Sequence, residues 1–527
     1  MSRSEKESLS RRDALKLAGA GLAGLAFTDM TGCATAEYRN VPAVDYRRDL
    51  ILENCRVIDV KTGKIHPSGS LRIRKGRIHA LTADKGDTGK ASAVDARGAY
   101  VIPGLIDAHC HSTISPVFGM NTLDLLRHLK MQRRQYELCI ESGVTTIRDT
   151  GAFPGALQGF LRDIRNGKLK GPRVVYCNSL LNVQGGHPDV NPTDINLFAK
   201  PVSLFIGMAM TNFRDLKEMR EIMRENAEGA RFIKLTMDNK SVFCRKEDIP
   251  AYSDEQLKEI FNFAEKKGLP VAGHCHRRWG FRRALGYPFH SLEHMVSDEL
   301  LTDREIEQFV RRKTAVVPTM TIAQCYLMEE AFDKLPEEYG RDEFIRQEIS
   351  IRRNYLQHEA PRHCDPHLHG ENMEMLRYYR TLGMDHLWEN KKFLVNPHLY
   401  FGMLQKGRKN LLRMKEAGVL IGCGIDAGMP LSYFGGLYRE MELLSRIGFK
   451  PLEVLQTVTC NNARILGLQE SIGAVEVGRE ADLVLLEKNP LKDITAYREP
   501  LLVLKEGRLV HGKKGMNVPR ARPAGKP

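Results

Sequence analysis

Short apolar runs alternate with longer amphipathic stretches through most of the chain, from residue 104 to residue 467. The clearest unit covers residues 253–274, where Ser253 and Gln256 form a capping box at the start of a helical pattern. Gly268 ends that pattern, and the apolar run VAGH follows it as a strand. This alternation predicts an α/β fold in which crossover helices connect parallel strands.

The number of strands in this region favours a barrel. Without the charged segment at 325–405, its length is close to the roughly 250 residues of a (β/α)8 barrel. We therefore predict a TIM-type (β/α)8 barrel over residues 104–467, with 325–405 inserted after the seventh strand. We expect this insertion to form a largely helical lid, because barrel loops rim the active-site face; a decorative or oligomer-forming insertion is the alternative. The predicted strands end at His109, Asp149, Asn182, Lys234, His274, His294, Pro318 and Asp426.

Strand-like alternation with glycine-containing turns occurs at both ends of the chain, at residues 49–80 and 472–511. Segments of this kind can pair even when they are far apart in sequence. We predict a small composite β-sandwich built from residues 45–103 and 468–515, placed beside the barrel.

The first 36 residues have the layout of an export signal. The stretch SRRDALK precedes a weakly hydrophobic Gly/Ala/Leu run, and it resembles a twin-arginine signal with Ala14 where Phe is usual. Two endings compete: a lipoprotein box that ends at Cys33, or a small-residue cleavage site that ends at Ala36. An amphipathic first helix is the third alternative. The predicted location is therefore exported, either periplasmic or anchored to the membrane on the envelope side through Cys33.

Composition narrows the class of protein further. Hydrophobic residues make up 42% and charged residues 27% of the chain, as in a globular protein with a sizeable core. The longest apolar run, at 17–27, is shorter than the roughly 20 residues of a transmembrane helix. The net charge of +14 is dispersed, which argues against a nucleic-acid partner. The eleven cysteines lack a knot-like spacing, so we expect mostly buried free thiols.

Candidate metal ligands stand at several of the predicted strand ends. His109 and His111 lie two residues apart, so on a strand their imidazoles share one face. Such a pair alone could be packed core histidines, but His274, His294 and Asp426 add further donors. Imidazole and carboxylate ligands suit Zn²⁺ or another divalent ion. The donors are too many for one tetrahedral ion, and they suit two ions that share a hydroxide.

Lys234 ends the run ARFIK, so it also stands at the end of a predicted strand. A bare ammonium cannot bridge two cations, so this lysine fits a metal site only if CO₂ converts it to an anionic carbamate. A structural lysine paired with an acid is the alternative.

Several motifs together resemble the amidohydrolase superfamily, over roughly residues 48–515. They occur in the same order, and they are PGLIDAHCH, GVTTIRDT, GPRVV, GGH, ARFIK, GLPVAGHCH, SLEHM, GIDAG and GAVEVGREADLVLL. The most similar branch contains the imidazolonepropionase-related proteins and the Xaa-Pro dipeptidases. Its members include metal-dependent dipeptidases and N-acyl amino acid hydrolases.

This resemblance implies two divalent ions, with zinc the expected metal, and carboxylated Lys234 as the bridging ligand. His109, His111 and Asp426 would hold the first ion, and Asp426 would also serve as the catalytic proton shuttle. The second ion would be held by His274 and His294.

The chain departs from the branch at positions near these ligands. Met295 replaces the usual Gly after His294, and Ile425 replaces the usual Thr before the aspartate. His276 stands two residues beyond His274 and could compete for its role, but His274 is the residue that matches the family motif.

Candidate substrate residues are less specific. His187 in QGGHPD matches a loop that lies near the substrate in relatives; a turn histidine is the alternative. Four arginines could pair with a substrate carboxylate, although helix-surface arginines are the default: Arg277, Arg278, Arg282 and Arg283. A second metal site is conceivable in HCDPHLH, but solvated histidines are favoured there: His363, His367 and His369.

The predicted function is hydrolysis of an amide bond by a binuclear metal-dependent enzyme, with a dipeptide or N-acyl amino acid as substrate. The alternatives are a deaminase or cyclic-amide hydrolase of the same superfamily, or a non-catalytic envelope-binding lipoprotein. The deaminases of this superfamily carry a His-x-x-Glu motif. A deaminase is disfavoured because Arg277 stands where that glutamate would be, three residues after His274. The expected partner is a small amide or peptide, and a homo-oligomer is compatible with the sequence.

Overall fold

The computed structural model describes most of the chain beyond its N-terminal segment. The described residues are 49–67, 69–82, 91–117, 125–187, 209–240, 242, 249–387 and 395–513. The predicted export signal at 1–36, including Cys33, lies outside them. Within these ranges, no helix has both the length and the apolar character needed to span a bilayer.

Helices and strands alternate through the middle of the chain, as the sequence predicts. The strands are β1 Leu50–Val57, β2 Gly69–Arg74, β3 Arg77–Thr82, β4 Ser92–Asp95, β5 Tyr100–Pro103, β6 Leu105–Cys110, β7 Val144–Asp149, β8 Arg173–Tyr176, β9 Leu180–Val183, β10 Met210–Phe213, β11 Ile233–Thr236, β12 Val271–His274, β13 Ser291–Glu293, β14 Ala315–Val317, β15 Leu483–Leu486, β16 Leu502–Lys505 and β17 Arg508–Gly512. The α-helices are α1 Leu125–Glu141, α2 Pro154–Arg165, α3 Leu216–Asn226, α4 Asp254–Lys267, α5 Arg278–Ala284, α6 Asp303–Arg312, α7 Met320–Cys325, α8 Glu337–Gly340, α9 Glu343–Asn354, α10 Pro366–Leu387, α11 Pro397–Gly402, α12 Arg408–Glu416, α13 Leu437–Ile447, α14 Pro451–Gln456 and α15 Asn462–Ile465.

The central strands are parallel. One sheet has the order β6-β7-β8, another has the order β11-β12-β13-β14, and β9 pairs with β10. Helix α4 shows why the sequence folds this way: Ser253 and Gln256 form the predicted capping box, and Gly268 ends the helix with a φ of 64°. These observations confirm an α/β fold with parallel strands and crossover helices.

The eighth predicted strand, before Asp426, differs from the prediction. Residues 420–427 make only isolated bridges, Ile421 with Val316 and Ala427 with Cys110, instead of a continuous ladder. The side chain of Asn462 replaces part of that ladder, because it accepts from the Cys423 amide at 3.0 Å and donates to its carbonyl at 2.7 Å. This segment still lies between β14 and β6.

Strands from both chain ends pair in one sheet, as predicted. Its order is β17-β16-β15-β5-β1-β2-β3, and β4 also pairs with β1. The junction is the antiparallel pair of β15 and β5, in which Leu483 lies opposite Pro103. Side chains of this sheet form one buried apolar cluster, which includes Leu52, Leu71 and Leu485. The arrangement of the sheet as a sandwich stays a prediction.

The predicted insertion is largely helical and packs against the rest of the chain. Glu348 of α9 is fully buried and pairs with Arg446 of α13 at 2.6 Å. At the other end of the insertion, a Cβ on Gly402 would lie 2.5 Å from the carbonyl oxygen of Ser297, so only glycine allows this approach. Lys406 also donates to the carbonyl of Asp298 at 2.8 Å. The insertion therefore contacts the loop that follows His294.

The cysteines agree with the prediction. Nine of them lie in the described ranges, and all nine are free thiols. Eight are buried, and Cys460 is half-buried.

Candidate metal centre

The predicted ligands come together at the carboxyl ends of the parallel strands. His109 lies in β6 and Lys234 in β11, while His274 ends β12 and His294 follows β13 directly. His294 and Asp426 have positive φ values of 71° and 54°, which are uncommon for residues other than glycine. Such backbone conformations concentrate at functional sites, where the surrounding structure maintains them.

The first group of donors consists of His109, His111 and Asp426, whose ligand atoms lie within 4.8 Å of one another. The Nε2 atoms of His111 and His109 lie 3.2 Å and 3.4 Å from Oδ1 of Asp426. The sequence predicted these three residues as neighbours, and the structure brings them together.

The second group consists of His274, His276 and His294, whose ligand atoms also lie within 4.8 Å of one another. The ring centroids of His274 and His276 lie 4.4 Å from that of His294 in each case. The sequence treated His276 as a competitor of His274, whereas the structure places both beside His294. Among the described residues, these two groups are the sets of three donors close enough to hold an ion.

Lys234 is buried near both donor groups, where its charge acts on His109 and His294. Its side chain is 2% exposed, and its Nζ has no hydrogen-bond partner among the described residues. Burial lowers the pKa of Lys234 to about 8. The rings of His109 and His294 lie 4.8 Å apart, so the two donor groups are adjacent.

Hydrogen bonds orient several of the imidazoles. Nδ1 of His109 donates to Oε2 of Glu293 at 2.8 Å, and Oε1 of Glu293 accepts from Arg148 at 2.5 Å. Nδ1 of His111 donates to the carbonyl of Gly151 at 2.9 Å. With Nδ1 protonated, the Nε2 lone pair of each ring faces the donor group. Glu293 and Arg148 were not predicted as functional residues, although both lie within motifs of the family, SLEHM and GVTTIRDT.

The surroundings favour the cation-binding protonation state for most of these groups. His111 is the exception: burial alone would lower its pKa, but Asp426 outweighs burial and raises it. Burial lowers the pKa of His109 to about 4 and holds the pKa of His274 and of His294 well below the usual value. Burial alone would raise the pKa of Asp426, but His109 and His111 outweigh it and lower that pKa. Neutral imidazoles and an ionised carboxylate are the ligand forms of these groups.

His187 lies beside the second donor group and outside it. Its ring centroid is 4.4 Å from that of His274, and its side chain is buried. Burial lowers its pKa to about 3. The role of His187 in binding a substrate stays a prediction.

Three of the four candidate arginines are already paired with carboxylates. Arg278 and Arg282 contact Glu305, and Arg283 contacts Asp254. Arg277 differs, since its guanidinium makes no ion pair with any described residue, and its charge lowers the pKa of the neighbouring His276.

The histidines of HCDPHLH do not form a third donor group within the described ranges. Both ring nitrogens of His369 are used in hydrogen bonds, to the Tyr433 hydroxyl and the Leu356 carbonyl, each at 2.9 Å. His367 is half-exposed and lies 3.8 Å from Glu371. His369 is buried, so it is not the solvated residue that the sequence suggested.

Comparison with known proteins identifies the class of this molecule. The model of the Amidohydrolase family matches residues 100–510, so the chain belongs to the amidohydrolase family. Membership makes it an enzyme that hydrolyses C–N bonds and implies a TIM-barrel-type α/β fold. The resemblance and the enzyme class inferred from the sequence are therefore confirmed.

Individual relatives are distant but cover nearly the whole chain. Ochratoxinase from Aspergillus niger is 24% identical over 510 residues, which span 88% of this chain and 90% of the relative. A solved Xaa-Pro dipeptidase with bound methionine has a TM-score of 0.66 at 20% identity and covers 88% of this chain and all of the other. A prolidase solved in complex with N-methylphosphonate-L-proline has a TM-score of 0.64 at 23% identity and covers 88% of this chain and all of the other. These structural similarities establish the shared fold.

Proposed function

We propose that this chain is a binuclear metal-dependent hydrolase that cleaves the amide bond of a small substrate such as a dipeptide or an N-acyl amino acid. The observation that carries the proposal is the pair of adjacent donor groups at the carboxyl ends of the strands, together with the buried lysine. Neutral imidazoles and an ionised carboxylate suit zinc or a similar divalent ion.

The unpartnered Nζ of Lys234 supports a modified lysine. A buried ammonium without a hydrogen bond is costly, whereas an amine with a lowered pKa can react with CO₂. The carbamate that forms is anionic and offers two oxygen ligands. Carboxylated Lys234 would be a ligand shared by both ions, one of which would be held by His109, His111 and Asp426 and the other by His274 and His294.

Bound cations of this kind supply a hydroxide nucleophile near neutral pH and polarise the substrate carbonyl. The residues of the chain transfer the proton and orient the ligands. Asp426 accepts the proton of the nucleophile and delivers it to the leaving amine, as general acid–base catalysis requires. The Nδ1 hydrogen bonds of His109 and His111 keep both rings in the orientation of ligands. His109 and Asp426 are buried and His111 is partly buried, which limits access of bulk water to the reaction.

The relatives' names support the substrate class, because a dipeptidase acts on dipeptides. Within this chain, the unpaired Arg277 lies near His276 and is suited to bind a substrate carboxylate. We assign His187 to the same pocket because its ring lies against His274.

The finer features of the fold belong to the same proposal. We infer a closed eight-stranded barrel, because residues 420–427 connect β14 to β6 through bridges on both sides. We also infer that the sheet built from both chain ends folds as a sandwich. Export by a twin-arginine route, with or without lipidation of Cys33, is proposed from the sequence of residues 1–36.

The test is a screen of dipeptides and N-acyl amino acids, each with a free or an amidated carboxylate, on enzyme purified with zinc and bicarbonate. We expect hydrolysis of some members, with a preference for the free carboxylate. Asp426→Asn should abolish turnover without unfolding the protein, whereas Asp303→Asn, at a side chain that is 91% exposed, should retain it. Full activity of Asp426→Asn would contradict the mechanism.

A further inference from the structure

His276 has no role in the ligand set proposed so far, yet it is almost completely buried in the metal centre. Its residue exposure is 2%, and its Nδ1 has no hydrogen-bond partner among the described residues. A buried polar atom without a partner costs free energy, so its position calls for an explanation.

Nδ1 of His276 is a buried ring nitrogen without a hydrogen bond to any described residue. The ring of His276 lies 4.4 Å from that of His294 and 4.9 Å from that of His274. Nδ1 is therefore the nitrogen of His276 whose lone pair is left available.

That lone pair belongs to a group of three nitrogens. Nε2 of His274 is also buried without a hydrogen bond. Nδ1 of His294 bonds to the Thr319 hydroxyl at 2.6 Å, which leaves its Nε2 available. The ligand atoms of the three histidines lie within 4.8 Å of one another, close to the spacing of donors around one ion. Zinc binds imidazole nitrogen at about 2.0–2.1 Å, so small side-chain movements would close the group.

We propose that His276 is a third imidazole ligand of the second ion and binds it through Nδ1. This inference rests on the metal dependence proposed above. The second ion would then have three neutral ligands from the chain besides the carbamate of Lys234, whereas the first has two imidazoles and a carboxylate. The two ions therefore differ in their ligand sets, and removal of His276 weakens only one of them.

The test measures metal content and affinity in His276→Ala, with His187→Ala as the matched control. Both substitutions remove a buried imidazole beside His274, but His187 lies outside the donor group. The zinc-loaded proteins are dialysed against increasing concentrations of a chelator and analysed for metal. We expect two ions in the wild type and in His187→Ala, and an affinity for one ion that is at least 10-fold weaker in His276→Ala.

Retention of both ions by His276→Ala at wild-type affinity would overturn the inference and leave His276 as a substrate-binding or packing residue. A wild-type protein that binds no ions would instead refute the proposed function. If His276→Ala fails to fold, diffraction from the zinc-loaded wild type decides. A distance of about 2.1 Å between Nδ1 and an ion supports the proposal, and a distance above about 3 Å overturns it.

Discussion

Glu293 provides the sharpest test of how the protein orients the proposed metal ligands. It is fully buried, accepts from Nδ1 of His109 at 2.8 Å and pairs with Arg148 at 2.5 Å. Glu293→Gln preserves the shape of the side chain and removes its charge. The change leaves the buried guanidinium of Arg148 without its counter-ion and weakens the hydrogen bond that orients His109.

The expected losses of folding stability and of metal affinity can be estimated separately. Breaking a buried ion pair by neutralising one partner costs about 3–5 kcal/mol of folding free energy. Because glutamine retains a hydrogen-bond acceptor, we expect a loss of about 3 kcal/mol, at the lower end of this range. Loss of a group that orients a metal-binding histidine typically weakens metal affinity by about 10–100-fold. The assays are urea unfolding of the metal-free protein and zinc competition with a coloured chelator.

Glu305→Gln is the control for the loss of a buried carboxylate charge. Glu305 is also buried and caps α6, and its partners Arg278, Arg282 and Thr302 belong to neither donor group. We expect this variant to be less stable but to bind zinc as the wild type does. If Glu293→Gln is equally destabilised and binds both ions normally, Glu293 only neutralises Arg148, and the orientation of His109 has another cause.

Two further predictions concern positions around the centre. Burial raises the pKa of Glu440 to about 7, so the folded state keeps a proton that the unfolded state releases near pH 4.5. Relative to Glu440→Gln, the wild type should therefore lose about 1.4 kcal/mol of stability per pH unit between pH 4.5 and 7 in urea titrations, and parallel curves would contradict this. Gly424→Ala would place a Cβ 2.7 Å from the backbone nitrogen of His109, so we expect about 1–3 kcal/mol of destabilisation and a lower zinc content. Gly155→Ala, where a Cβ meets nothing within 4 Å, should not lower stability, and equal behaviour of the two variants would refute the steric argument.

Much of the centre could be predicted because each ligand ends an apolar run. In a parallel α/β fold those ends meet at one face, so His109, Lys234 and His274 come together although they are distant in sequence. The family motifs then supplied the expected pairing of ligands. The structure brings the predicted residues together, and their role as ligands stays a proposal.

The remaining features depend on contacts that a single sequence does not reveal. His276 lies beyond the end of β12, where strand alternation no longer specifies the direction of a side chain. Glu293 and Arg148 act through a buried ion pair between two strands separated by 145 positions. The ladder before Asp426 is interrupted by Asn462, a residue from a later helix. In each case, a tertiary contact overrides the local pattern.

We propose that each of the two donor groups holds one cation. Diffraction from crystals of the zinc-loaded protein, recorded at the zinc absorption edge, locates such ions directly. We expect two anomalous peaks about 3.5–4 Å apart, one beside Asp426 and one beside His294, with density for a carboxylated Lys234 between them. A map with no peak in this region, or with an unmodified lysine in the presence of zinc and bicarbonate, would contradict the claim.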